Sequence, residues 1–270
     1  LSPAASHQAR DSSLESKFHP HGFLFAPLHA DPRWPHFSLA YRSISQGVGP
    51  DNTGAANFGE TFALYRDAAS LTANGKSRSR PGSSARLIWL SRTKTSSNAD
   101  YTAGLLTSYG TRSFSSFLRV HHQSSHLGDE FILNSLTPVN RINLSFEEID
   151  LKLSYELSTW LRVYGGGGVL VDRDPKILGR GTSQFGAELT STWTLLGGKF
   201  RPVAYGDVQA NERTSWTISR SVMAGVQFEN ARIGDRKVQV LLEYFKGSSP
   251  NGQFFTHSTG WIGLGLHLYY

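Results

Sequence analysis

Thr259-Gly-Trp-Ile-Gly-Leu-Gly-Leu-His-Leu-Tyr-Tyr270 closes the chain. In an extended strand side chains alternate between two faces, so Ile262, Leu264, Leu266, Leu268 and Tyr270 share one side. Trp261, Gly263, Gly265 and His267 share the other. One face is wholly apolar and the other is small or polar. The stretch predicts a strand with one greasy wall, which suits a membrane barrel or the core face of a soluble sandwich, and the remaining strands decide between them.

The pattern recurs upstream. Apolar alternation marks strands at Phe37-Leu39-Tyr41, Phe58 to Leu64, Ala85 to Thr93, Tyr101-Ala103-Leu105 and Phe114 to Gln123. It continues at Val139 to Leu157, Trp160 to Val171, Phe185 to Leu195, Phe200 to Gln209, Trp216 to Phe228, Val238 to Tyr244 and the terminal strand. Turn-rich stretches separate them, among them Gly-Pro-Asp-Asn-Thr-Gly within Gln46 to Ala55 and the pair Gly197-Gly198. Within Val139 to Leu157 the apolar set shifts phase between Phe146 and Ile149, which predicts a β-bulge at Glu147-Glu148. The expected fold is all-β, a transmembrane antiparallel barrel of about twelve strands over residues 37–270. A closed barrel satisfies every backbone group inside hydrocarbon, which an open sheet cannot do. The final strand also resembles the C-terminal strand of Gram-negative outer-membrane barrels, and that resemblance makes Leu264, Leu266, Leu268 and Tyr270 the assembly signal.

Composition agrees. Of 270 residues, 6 are Trp, 10 Tyr and 16 Phe, a supply of aromatics suited to interfacial girdles. Mean hydropathy is negative, as expected when only alternate residues face lipid. No run approaches the roughly 18 apolar residues of a transmembrane helix. The absence of cysteine excludes a disulfide framework, a thiolate metal site and a cysteine nucleophile. The net charge of +6 is dispersed rather than gathered on a helix, which argues against nucleic acid as a partner. Its one dense run, Lys76-Ser-Arg78-Ser-Arg80, reads as a solvated hairpin loop that, facing outward, would meet lipid phosphates or anionic sugars. With no initiator Met at Leu1, the chain reads as a mature form whose export signal has been removed.

Residues 1–36 stand apart as an irregular segment, periplasmic or lumenal. Four prolines between Phe18 and Pro35 exclude a regular ladder strand, and Phe23, Phe25 and Trp34 are expected to pack against the barrel mouth. Gly165-Gly-Gly-Gly168 sits inside a strand, where glycines weaken pairing unless something must approach closely. No helix pattern follows it, so it is not a dinucleotide loop. Arg119, Arg141, Arg162, Tyr164, Glu188, Tyr205, Asp207 and Glu243 fall on inward phases. Opposed charges of this kind fill a barrel with ion pairs or frame a narrow pore.

The richest chemistry lies in Arg119-Val-His121-His122-Gln-Ser124-Ser125-His126-Leu-Gly-Asp129-Glu130. His122 and Ser124 share a face with Leu118 and Val120, which aims a base and a nucleophile at lipid. A His-x-Ser pair of this kind resembles that of two outer-membrane lipid hydrolases, phospholipase A and the lipid A deacylase. The third residue that must orient the histidine is missing at this level, because Asn143 and Glu147 alternate with Leu144 and Phe146 and are expected in the lumen. His122, His126, Asp129 and Glu130 match no standard metal spacing, so no metal or other cofactor is expected.

Four segments in order, Ala30-Asp-Pro-Arg33-Trp-Pro-His-Phe37, His122 to Phe131, Arg141 to Glu147 and Arg162 to Gly168, resemble a family of uncharacterised bacterial envelope proteins. The likeness spans the chain from about Phe23 onward and implies an outer-membrane barrel without an established activity. The functional expectation is an integral barrel of the bacterial outer membrane, plugged or narrow, with a structural or scaffolding role. A solute channel and a lipid acyl hydrolase are the alternatives. Expected partners are outer-membrane lipids and lipopolysaccharide, the barrel-assembly machinery and an envelope protein.

Overall fold

The computed structural model describes residues 17–18, 23–47, 51–69, 82–95, 98–127 and 144–270. Twelve long strands form one antiparallel sheet that closes on itself: β1 (Phe37–Gln46), β2 (Asn52–Ala69), β3 (Gly82–Thr95), β4 (Asn98–Gly110), β5 (Phe114–Leu127), β6 (Ser145–Glu156), β7 (Leu161–Asp174), β8 (Gly181–Thr190), β9 (Phe200–Asn211), β10 (Ser219–Ile233), β11 (Arg236–Ser248) and β12 (Ser258–Tyr269). Each strand pairs with its sequence neighbours. The seam is β12 against β1, with Leu268 opposite Phe37 and Leu264 opposite Tyr41. Closure leaves no long open edge. β2 outruns β1 at one end, and there Lys17–Phe18 pairs with Arg66 and Tyr65.

With twelve strands the start of β1 and the end of β12 lie at one end, the termini end. The turns at 111–113, 157–160 and 234–235 lie there too. The connections at 212–218 and 249–257 lie at the other end, the loop end. The basic run Lys76 to Arg80 falls outside the described residues, between β2 and β3 in the sequence.

The alternation that predicts the strands also sorts the two walls. Leu39, Leu105, Ile262, Leu264 and Leu242 point outward and are more than half exposed. Leu266 and Tyr270 are exposed on the same wall. Aromatics ring it near the termini end (Phe62, Tyr155, Trp160, Trp193, Tyr270) and near the loop end (Tyr41, Tyr101, Trp216, Tyr244). A soluble protein would not expose so continuous an apolar band, whereas lipid requires one.

Three strands depart from the sequence reading. The tenth begins at Ser219 rather than Trp216 and runs on to Ile233, so Trp216 and Ile218 lie in the connection before it. The eighth begins earlier than Phe185 and ends at Thr190, and Trp193 and Leu195 lie in the turn that follows. The break in pairing does fall between Glu147 and Glu148, but the extra residue belongs to β7: Glu148 faces Leu170 while Glu147 faces Asp172. β6 itself alternates without interruption from Ser145 to Glu156. Leu144 and Phe146 are consequently inside, clustered with Leu170, Leu178 and Phe255 under the loops. An apolar residue under a loop cap is as well shielded as one facing lipid, and alternation alone does not separate these two fates.

Residues 23–36 run through the lumen. Phe25 meets Phe117 edge-on at 4.6 Å and stacks on Trp34 at 6.2 Å, and Leu28 and Ala30 are fully buried. The wall makes room at Gly59, where a Cβ would lie 2.4 Å from the Pro35 backbone. The four-glycine run serves the wall instead. A Cβ on Gly166 would meet Leu151 and Lys152, and one on Gly168 would meet Glu148 and Asp150.

Candidate functional site

Two constellations are built by this barrel, one inside and one outside. Inside, Arg119, Arg162, Tyr164, Glu188, Tyr205, Asp207 and Glu243 all point into the lumen. Arg141 lies outside the described residues. Arg119 forks onto Asp150 at 2.7 and 3.1 Å, and Lys152 adds a third contact at 3.2 Å. Arg162 donates to Glu188 at 2.8 Å, to Ser154 at 2.7 Å and to the carbonyls of Pro27 and Ala26 at 2.7 and 2.9 Å. Its guanidinium also covers the Phe25 ring at 5.0 Å. Glu188 receives the His29 N–H at 2.9 Å. Tyr164 donates to Asp207 at 2.6 Å. Glu243 joins Arg42 at 2.7 Å and His267 at 3.0 Å, and His267 in turn meets His36 at 3.1 Å.

This network is what buried charge requires, since each ion has a partner and most have hydrogen bonds beyond it. It ties residues 23–36 to opposite sides of the wall at once. Sequence reasoning missed Asp150, Arg42, His267, His29 and His36. Asp150, Arg42 and His267 sit on inward phases that could have been read directly, but the two other histidines belong to an irregular segment with no phase to read.

Outside, β5 carries His122 and Ser124 toward its loop end, on the same wall as exposed Leu118 and Val120. The register sets His122 opposite Glu147 and Ser124 opposite Ser145 on β6, and Tyr101 on β4 opposite Ser124. Because β6 keeps its phase, Glu147 points outward rather than into the lumen, and its Oε1 lies 2.8 Å from His122 Nδ1. Both side chains are open, His122 by 47 % and Glu147 by 42 %. A carboxylate at Nδ1 fixes the proton there and leaves Nε2 as the free base. Among the described residues Ser124 makes no hydrogen bond to His122, a contact that substrate-free sites often lack. Arg92 stands over the Tyr101 ring at 5.0 Å, and His126 meets the same ring edge-on at 5.7 Å. His121, Gln123 and Ser125 are buried on the inward face. Asn143, Asp129 and Glu130 lie outside the described residues, and no group of three metal-ligating side chains occurs among those described.

A family model described as "Protein of unknown function (DUF1207)" matches residues 4–270. No curated protein matches the chain. Among solved structures, the outer membrane phospholipase A from Escherichia coli superposes with a TM-score of 0.51 at 13 % identity, covering 88 % of this chain and 92 % of that one. A structure of an active-site mutant of the same enzyme gives 0.50 at 13 % identity, over 92 % and 94 %. The KdgM porin gives 0.41 at 11 % identity, over 86 % and 99 %. At such identities the likeness is one of fold. The chain is an integral β-barrel of the bacterial outer membrane.

Proposed function

Given that this chain belongs to the DUF1207 family, whose function is unknown, we propose that it is a lumen-filled outer-membrane barrel with an acyl-ester hydrolase site on its outer wall. One observation carries this reading: Glu147 supplies the third member that His122 and Ser124 need, and all three face the lipid. Ser124 is the nucleophile, His122 the base and Glu147 the group that orients it. The Ser124 oxygen attacks the ester carbonyl of an acyl chain while His122 takes the hydroxyl proton. His122 then returns that proton to the departing alcohol. Water, activated by the same histidine, releases the fatty acid and restores Ser124. The fold shared with an outer-membrane phospholipase A supports the scaffold, and these side chains support the chemistry.

The test is Ser124→Ala, assayed for fatty-acid release from phospholipid and from lipopolysaccharide in detergent. The expected result is release by the natural chain and a loss of about 10³-fold in the variant. Equal release by both, or none by either, overturns the reading. A second reading, a purely structural barrel, is favoured by the packed lumen, where residues 23–36 and the Arg162–Glu188 and Arg119–Asp150 pairs occupy the space a channel needs.

A further inference from the structure

The register sets Arg220 on β10 directly opposite Lys246 on β11, and both side chains are exposed on the lipid-facing wall near the loop end. Like charges placed directly across a ladder repel, and charge on a barrel's lipid face is tolerated only toward the interfaces. Ordinarily a nearby carboxylate relieves such a pair. Among the described residues no carboxylate lies within ion-pair distance of either cation. The lateral neighbours, Val208 on β9 and Gly260 on β12, bring none. On the inner wall of this barrel, by contrast, Arg42, Arg119 and Arg162 each meet a carboxylate.

The surroundings say what kind of anion relieves the pair. Below it Val222 and Tyr244 stand opposite one another, both exposed. Above it Ile218 and Trp216 are about half exposed. A free inorganic anion gains nothing from apolar groups on both sides, whereas an amphiphile places its charged group on the cations and its chains along the wall. Two adjacent cations match a dianion better than a monoanion, which favours a phosphate monoester over a phosphodiester. The guanidinium offers a fork to two phosphate oxygens and the ammonium a point charge to the third. We propose that Arg220 and Lys246 form a binding site for the phosphate monoester of an outer-leaflet lipid, with lipid A as its occupant. This site is separate from His122 and Ser124, and it stands whether or not the barrel hydrolyses lipid.

The probe is purified lipid A, compared with the same lipid stripped of phosphate and with phosphatidylglycerol, bound to the intact detergent-solubilised protein. The natural chain is expected to bind lipid A about tenfold or more tightly than the stripped form, with phosphatidylglycerol between them. Arg220→Gln with Lys246→Gln is expected to abolish that preference, while Lys176→Gln, which removes a loop-end charge already paired with Asp172, leaves it intact. Folding of each variant is read from heat-dependent gel mobility. In lipid-free detergent the double variant should melt no lower than the natural chain, because it loses a repulsion. No phosphate preference in the natural chain, a preference surviving in the double variant, phosphatidylglycerol binding as tightly as lipid A, or a lower lipid-free melting point each overturns the assignment.

Discussion

His122 and Glu147 face each other across the β5–β6 ladder, Nδ1 to Oε1 at 2.8 Å, on a wall that otherwise meets lipid. On the proposed chemistry Glu147 is a positioning residue: it fixes the imidazole rather than touching the ester. Glu147→Ala should lower acyl release about 10- to 10³-fold, and Glu147→Gln, which can still accept from Nδ1–H, should retain more. Binding of lipid to the barrel should be unchanged by either. Equal turnover in all three chains would remove Glu147 from the site.

Arg162 and Glu188 form a pair that burial makes expensive to break. Arg162→Gln leaves Glu188 with His29 alone and frees the Ala26 and Pro27 carbonyls. A loss of roughly 3–5 kcal/mol in unfolding free energy is expected, with much of it restored when Glu188→Gln is added. Urea titration in lipid vesicles measures both.

Gly59 is the point where the wall admits the inner segment. A methyl there would lie 2.4 Å from Cα of Pro35, a backbone atom that cannot swing aside. Gly59→Val should displace residues near Pro35 and lower the melting temperature, while Gly54→Ala, where a Cβ meets nothing, should not.

Residues 23–36 occupy the lumen, so single-channel recordings of the intact protein should show little steady conductance. A chain lacking residues 1–36 should conduct far more. Large steady currents from the intact chain would contradict a filled lumen.

Glu212, outside the membrane span, accepts the N–H groups of Gly181 at 2.8 Å and Arg180 at 2.7 Å. These two hydrogen bonds favour the ionised form and hold its pKa below the ordinary carboxylate range. A depressed acid contributes stability that is present above its ordinary pKa and lost as pH falls through the lowered one. The protection of the Gly181 amide against deuterium exchange, taken relative to the intrinsic rate at each pH, should therefore fall as the medium is acidified into that range. Glu212→Gln should flatten the dependence.

What the sequence reveals of this barrel follows from what alternation encodes. The terminal strand, the number of strands and the described members of the inward set from Arg119 to Glu243 are readable because a two-residue period assigns each side chain to a wall. Leu144 and Phe146 defeat that reading, since both walls accept apolar residues near a loop. The same ambiguity carries Glu147 to the wrong side and hides the third member of the outer constellation. Arg220 opposite Lys246 is unreadable, because register between strands is set by the whole sheet. The path of residues 23–36 is likewise hidden, as four prolines say only what the segment is not.

The seam and the filling hold one another. Tyr269 donates its hydroxyl to the His29 carbonyl at 2.9 Å, and the Tyr270 ring meets Phe23 edge-on at 4.9 Å. The final strand of the wall thus rests on the segment that fills it. A cylinder closed without its filling would keep the Glu60 and Arg236 contacts of Tyr270 but lose the carbonyl under Tyr269 and the ring against Tyr270, so the interior steadies the final joint.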